Sequence, residues 1–255
     1  MNFLKNLLAF AYHQALSCIF PLVIFLTLAL SKFISIPFLH RYDFILLICI
    51  LTQILLLVTK IETIDELKVI CVFHVIGLLL ELFKVHTGSW SYPEKAWTKI
   101  YDVPLYSGFM YASVASYMCQ AWRRLDIKLY HWPPFAIVSI LGFSIYLNFF
   151  TDHYIMDFRW IIKCFIIILF FKTYVTFKIR NNVFKMPLVL SFLLIGFFIW
   201  VAENISTFFG AWQYPNQSNG WHLVHLGKIS SWLLLVIVSF IAVAQLKHVK
   251  ARKKS

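Results

Sequence analysis

Glu81-Leu82-Phe83-Lys84-Val85-His86-Thr87-Gly88-Ser89-Trp90-Ser91-Tyr92-Pro93 returns as Glu203-Asn204-Ile205-Ser206-Thr207-Phe208-Phe209-Gly210-Ala211-Trp212-Gln213-Tyr214-Pro215, at an offset of 203 − 81 = 122 residues. Glu, Gly, Trp, Tyr and Pro keep their places in both copies. Trp, Tyr, Gly and Pro number only 9, 12, 8 and 8 in 255 residues, so five identities at fixed spacing are hard to attribute to composition. Each copy also closes an apolar helical run. An internal duplication is the economical reading, and it marks where the special chemistry lies.

Outward from the motifs the chain is apolar. Hydrophobic residues make up 61%, charged residues 13%, and the mean hydropathy is +0.77, which leaves too little polar surface to coat a water-soluble globule of this size. The chain reads as a membrane protein, its 18% aromatics suited to lipid-facing helices with Trp and Tyr at the interfaces. A span needs about 20 apolar residues. Runs of that kind occupy roughly 15–38, 43–59, 68–87, 104–122, 133–150, 158–177, 186–209 and 229–246. They predict an all-α polytopic transmembrane bundle of about eight spans, or seven with one re-entrant segment. The first run has no small-residue cleavage site before Lys32 and is expected to stay as an uncleaved helix. The five cysteines show no metal or disulfide spacing and read as packing residues.

Four helices separate the two motif copies, so both copies face the same side of the membrane. This is a parallel repeat of two four-helix units, expected at 1–128 and 129–246, with 247–255 as a basic cytoplasmic tail. The termini and even-numbered loops hold fourteen Lys and Arg, and the opposite side holds six: Arg41, Lys84, Lys95, Lys99, Arg159 and Lys228. Both termini are therefore expected in the cytoplasm and both motifs outside. The formal charge of +12 reads as topology plus attraction to anionic headgroups; membrane lipids are the expected partners and no nucleic acid is needed. Glu62, Asp65, Glu66 and Asp126, in cytoplasmic loops, read as solvated charges.

Glu81 follows Lys68 by 13 residues, which places it about 20 Å up its helix. Glu203 is placed similarly. An ionisable residue at that depth costs roughly 2–3 kcal/mol on insertion scales and is expected to face the protein interior. Two readings stay open. Each carboxyl either serves as an acid or base kept from water, or accepts hydrogen bonds from the Trp or Tyr of its following loop and so clasps loop to helix. Gly-x-Trp-x-Tyr-Pro is expected to end the helix at glycine, place Trp at the interface and turn at proline. Around the acids the candidate substrate-binding residues are His74, Trp90, Tyr92, Tyr106, Ser107, Asp157, Trp212, Tyr214 and Ser230. His74 lies seven residues before Glu81 and shares its helix face, and Asn148, Asp152, His153, Asp157 and Arg159 cluster where two helices meet. His222-x-x-His225 lacks the spacing and nearby carboxylate of a helical zinc site, so neither metal nor cofactor is expected.

Glu81 through Pro93, Val103-Pro104-Leu105-Tyr106-Ser107-Gly108, and Glu203 through Pro215 together resemble the YoaT-type family of bacterial integral-membrane proteins, a domain of unknown function. That resemblance implies a bacterial multi-span protein and supplies no activity; the expected location is the inner membrane. More distantly, Glu81 followed by Thr87-Gly88, an aromatic, Tyr92 and Val103-Pro104-Leu105 is similar to membrane-embedded carotenoid hydratases, and the duplication resembles the membrane-type lycopene cyclases. Those likenesses imply acidic residues that protonate a polyene. The chain departs from the cyclases in lacking an adjacent acidic pair: Glu81 lies between leucines, and Glu203 between Ala202 and Asn204. The leading expectation is an enzyme in which Glu81 and Glu203 face a common cavity as acid and base toward a hydrophobic lipid or isoprenoid substrate from the outer leaflet. The alternative is a small-solute or lipid transporter or binding protein with its site between the repeats.

Overall fold

Long apolar runs become helices because a helix satisfies its own backbone polar groups where water is absent. The computed structural model describes residues 2–34, 37–152 and 154–252; His153, Lys253 and Lys254 lie outside the described residues. Its helices are α1 (Asn2–Ser17), α2 (Ile19–Leu30), α3 (Arg41–Val58), α4 (Ile64–His86), α5 (Tyr106–Arg124), α6 (Phe135–Thr151), α7 (Arg159–Phe170), α8 (Leu188–Phe208) and α9 (Lys228–Arg252). α3, α4, α8 and the first 18 residues of α9 are long and apolar enough to cross a membrane; α1 and α2, broken at Cys18, add a fifth if counted as one span. Their outward faces stay apolar, with Leu55 and Val58 of α3, Val72 and Leu79 of α4, and Phe197 and Phe198 of α8 all exposed. Such bands mark a membrane protein.

The all-α expectation is corrected in two places. The run expected to span 158–177 stops as a helix at Phe170, because Tyr174-Val175-Thr176-Phe177 is rich in β-branched and aromatic residues that suit a pleated strand. It forms β4 (Tyr174–Ile179), paired antiparallel with β3 (Lys128–Tyr130) on one side and β5 (Asn182–Pro187) on the other. The second small sheet is a hairpin of β1 (Lys99–Ile100) and β2 (Val103–Pro104). The expected run 15–38 is interrupted at Cys18, α6 is only 17 residues, and α5 is long enough but more polar than α3, α4, α8 and α9.

A third correction concerns charge. Glu62 and Glu66 are buried rather than solvated. Gln53 Nε2 donates to Glu62 at 2.6 Å and Ser116 Oγ also donates to it, while Glu66 completes a capping box with Thr63 at the start of α4. A buried carboxylate requires such partners. Of the cysteines, Cys49 and Cys119 are core residues, whereas Cys71 and Cys164 are exposed.

Packing divides the chain into two compact units, each discontinuous in sequence. One comprises Met1–Ser17, Met118–Ile199 and Leu226–Ser255. Its core packs Phe170 edge-on against Phe192 and Phe192 edge-on against Phe240, with ring centroids 5.9 and 5.2 Å apart. The other comprises Cys18–Tyr117 and Trp200–His225, and it holds both motif copies. Its core runs from Phe20, Ile24 and Leu28 of α2 through Tyr42, Ile45 and Cys49 of α3 to Tyr92, Tyr106, Trp212 and Tyr214.

Candidate functional site

A helix leaves its last carbonyls without partners, and each motif answers that need in the same way. After α4, the amide of Thr87 donates to Phe83, Gly88 to Val85 and Ser89 to Lys84; after α8, Phe209 donates to Ile205, Gly210 to Thr207 and Ala211 to Ser206. All three bonds recur at the 122-residue offset. The left-handed backbone this requires falls on glycine in both copies, at φ 72° for Gly88 and 69° for Gly210. The chain then doubles back and brings the aromatic residues against the helix it has just left.

The acids receive those aromatics. Glu81, 3% exposed, accepts from Trp90 Nε1, Tyr92 Oη and Tyr111 Oη, each at 2.7 Å. Glu203, also 3% exposed, accepts from Tyr214 Oη at 2.5 Å, which repeats the Tyr92 bond eleven residues from its glutamate. Burial first, then the Glu81 carboxylate, pushes the Tyr92 phenol well above its usual pKa, and burial with Glu203 does the same to Tyr214. Both phenols therefore stay protonated as donors. The structure thus realises the clasp, with the helix acid gripping the aromatic loop that follows it.

The two loops also grip each other. Ser91 N–H donates to the Gln213 carbonyl and Gln213 N–H to the Ser91 carbonyl, both at 2.9 Å. Ser91 and Gln213 are equivalent positions in the repeat, and two equivalent residues can pair antiparallel only about a local two-fold axis. Across that axis Trp90 meets Tyr214 edge-on, with centroids 6.0 Å apart. Glu81, Trp90, Tyr214 and Glu203 therefore form one continuous chain of contacts.

Residues near the start of α3 hold this arrangement in place. Arg41 donates to the Phe209 carbonyl at 2.5 Å and the Gly210 carbonyl at 3.3 Å, and it reaches the Leu28 carbonyl at 3.0 Å and Ser31 Oγ at 2.9 Å. Lys32 Nζ adds a bond to the Phe208 carbonyl at 3.1 Å. Two cations at the carbonyl end of α8 suit both its dipole and its orphan acceptors. Asp43 binds the backbone N–H groups of Trp97 and Thr98 at 2.9 and 3.0 Å and so fixes the loop after the first motif. Tyr106 Oη donates to the Ala211 carbonyl. α4 and α5 approach closely at Gly77 and Gly108, where an added Cβ would come within 2.4 Å of Tyr111 and 2.8 Å of His74.

Over the clasped loops lies a cavity of about 500 Å³, lined by Gly88, Trp90, Tyr92, Glu94, Lys95, Lys99 and Asp102 among others from the first copy, with Gln213 and Pro215 from the second. Glu81 and Glu203 are not on its wall; Glu81 stands behind Trp90 and Tyr92, which are, and Glu203 is bonded to Tyr214, which is not. The first copy supplies most of the lining. The second is turned inward, where Gln217 accepts from the Tyr214 amide at 3.2 Å and Asn204 Oδ1 from the Val224 amide at 2.9 Å.

Of the eleven residues expected at the site, nine fall in this unit. Trp90 and Tyr92 line the cavity, Tyr106, Trp212 and Tyr214 are buried beside it, and Ser107 is fully buried at the start of α5. His74 packs its ring against Phe109 at 4.5 Å. The Ser107 hydroxyl and His74 Nδ1 find no hydrogen-bond partner among the described residues. Asp157 and Ser230 belong to the other unit. Asp157 accepts from the Arg159 side chain at 2.5 Å and from Asn148 at 3.3 Å; burial alone would raise its carboxyl pKa, and the bonds from Arg159 and Asn148 hold it below the usual range. Ser230 sits in the first turn of α9. Among the described residues no group of three or more His, Cys, Asp or Glu side chains is placed to hold a metal ion. Sequence reading missed Tyr111, Arg41 and Gly77 as members of the site. Arg41 carried a signal, since it opens an apolar helix; Tyr111 carried none.

The family model described as "Protein of unknown function (DUF817)" matches residues 6–240. The chain belongs to the DUF817 family. Over 250 residues it is 61% identical to the "Uncharacterized protein YoaT" of Bacillus subtilis strain 168, an alignment covering 98% of this chain and 95% of that protein. No solved structure matches. Membership agrees with the resemblance carried by residues 81–108 and 203–215, and the family description names no activity. Any function has to be argued from the clasped loops and their cavity.

Proposed function

We propose that this DUF817 member is a membrane protein that binds a small molecule in the cavity above the paired motif loops, with buried Glu81 serving to hold the cavity's aromatic wall. One observation carries the reading: Trp90 and Tyr92 line the cavity and both donate to Glu81. Carboxylate, loop and cavity are thereby one construction. The volume of about 500 Å³ lies within the range of small-molecule sites. To test it, the purified protein is screened for compounds that raise its unfolding temperature, alongside a Ser91→Trp variant whose new ring fills the cavity. The reading expects at least one compound to stabilise wild type and not the variant; equal responses from the two, or none from wild type, would count against it.

A second reading keeps the acid and base roles of Glu81 and Glu203 toward a lipid or isoprenoid. It is favoured by Tyr92, which lines the cavity and donates to Glu81 through a hydroxyl that can both donate and accept, unlike the indole of Trp90, and so offers a proton route between them. That reading expects Glu81→Gln to leave stability unchanged while altering the host's lipid profile.

For the whole chain we propose two parallel repeats, 1–128 and 129–246, in a bacterial inner membrane, with α5, α6 and α7 completing about eight spans as short or polar ones. The fourteen-to-six distribution of Lys and Arg supports cytoplasmic termini and motif loops outside. In a background lacking the exposed Cys71 and Cys164, an impermeant thiol reagent added to intact cells should label Asp102→Cys and spare Asn181→Cys. The reverse pattern would invert the topology.

A further inference from the structure

The charges on the cavity wall suggest what it holds, and the inference rests on the binding reading above. Four charged residues line it, Glu94, Lys95, Lys99 and Asp102, two of each sign. Two are already engaged within the protein. Glu94 pairs with Arg41 at 2.5 Å, and Lys99 Nζ donates to the Tyr92 carbonyl at 2.7 Å while lying 5.8 Å from the Tyr42 ring centre. Lys95 and Asp102 make no hydrogen bond or ion pair with the described residues, although Asp102 lies close enough to Lys99 for their charges to interact, and both belong to the same wall.

Asp102 is also held there at a conformational cost. It ends a two-residue turn between β1 and β2 in which Tyr101 and Asp102 have φ of 44° and 65°, a turn that ordinarily takes Asn and Gly. Asp tolerates the left-handed region; Tyr, a bulky side chain, does not do so readily. Strain of that kind persists where the surroundings over-determine it and gathers at ligand sites.

A wall with one free charge of each sign, and balanced charge overall, offers little net attraction to a simple cation or anion. A molecule carrying both charges gains at both ends. Trp90 and Tyr92 add aromatic surface suited to an ammonium group. We infer that the cavity takes a small zwitterion, its ammonium directed to Asp102 and the aromatic wall and its carboxylate or phosphate to Lys95. The same chemistry is available from a free solute and from an ethanolamine phospholipid headgroup.

The test uses the full chain in maltoside detergent and follows its thermal unfolding with phosphoethanolamine, inorganic phosphate and ethanolamine as probes. Phosphoethanolamine is expected to stabilise the protein at a concentration about tenfold below either fragment, and Lys95→Gln and Asp102→Asn are each expected to weaken that response about tenfold. Both residues are exposed, so neither change threatens folding. If the soluble probe is silent, the protein is compared in nanodiscs of phosphatidylethanolamine and of phosphatidylglycerol. Stabilisation by the former that both variants lose assigns the zwitterion to a lipid headgroup. Phosphate acting as well as phosphoethanolamine, ethanolamine doing so, or silence in both arms would overturn the inference. A different compound that stabilises wild type and not Ser91→Trp would leave the cavity reading standing without it.

Discussion

Glu81 shows how a residue singled out in sequence by its depth in an apolar run is held in place by hydrogen bonds. A carboxylate buried at 3% exposure is costly unless its oxygens are occupied, and three donors occupy them here. Glu81→Gln keeps the shape and removes the acceptor capacity: the amide has one oxygen to offer and turns two donors of its own toward Trp90, Tyr92 or Tyr111. We expect it to lower stability by about 1–3 kcal/mol, seen as a fall in the unfolding midpoint of the purified protein. An unchanged midpoint would remove the clasp and favour the acid–base reading. Sequence made the position of Glu81 legible through its depth in an apolar run. Its partners were half legible: Trp90 and Tyr92 belong to the motif, whereas Tyr111 comes from another helix and lies in no pattern. Glu62 failed in the opposite direction. It lies in a run with Lys60, Asp65 and Lys68 and reads as solvated, but Gln53 and Ser116 draw it inside.

At the scale of elements, helices were legible wherever an apolar run was long and unbroken, as in α3, α4, α8 and α9. The hairpin of β4 and β5 was not, because Tyr174 to Phe177 continues the hydrophobicity of α7 while changing its backbone preference, and hydropathy alone is blind to that change. The motif ends were legible from glycine. Both glycines hold φ near 70°, and the surroundings allow the comparison: nothing lies within 4 Å of a Cβ built on Gly88, and the nearest atom to one on Gly210 is at an ordinary 3.6 Å. Gly88→Ala and Gly210→Ala should therefore each cost about 1–2 kcal/mol from backbone strain alone, by nearly equal falls in unfolding midpoint. A clearly larger loss at one site would mean that the two helix ends are not equivalent.

For the molecule as a whole, the sequence revealed that the motif occurs twice and led to the expectation of a cavity shared by the two acids, but not that the two loops pair through their backbones. Ser91 and Gln213 are not identical, and they join through backbone atoms, which no side-chain pattern records. That junction joins the two copies of the motif in one site: the first copy lines most of the cavity, and the second adds Gln213 and Pro215. The most direct measurement is a cross-link between the copies. Paired residues in an antiparallel bridge of this kind stand about 5.5 Å apart at Cα, within the span of a disulfide, so Ser91→Cys with Gln213→Cys, in a background without the native cysteines, should oxidise readily in membranes. We expect a reducible mobility shift, or the loss of two free thiols by mass, in the double variant and in neither single one. A double variant that keeps both thiols free under oxidation would contradict the paired-loop site.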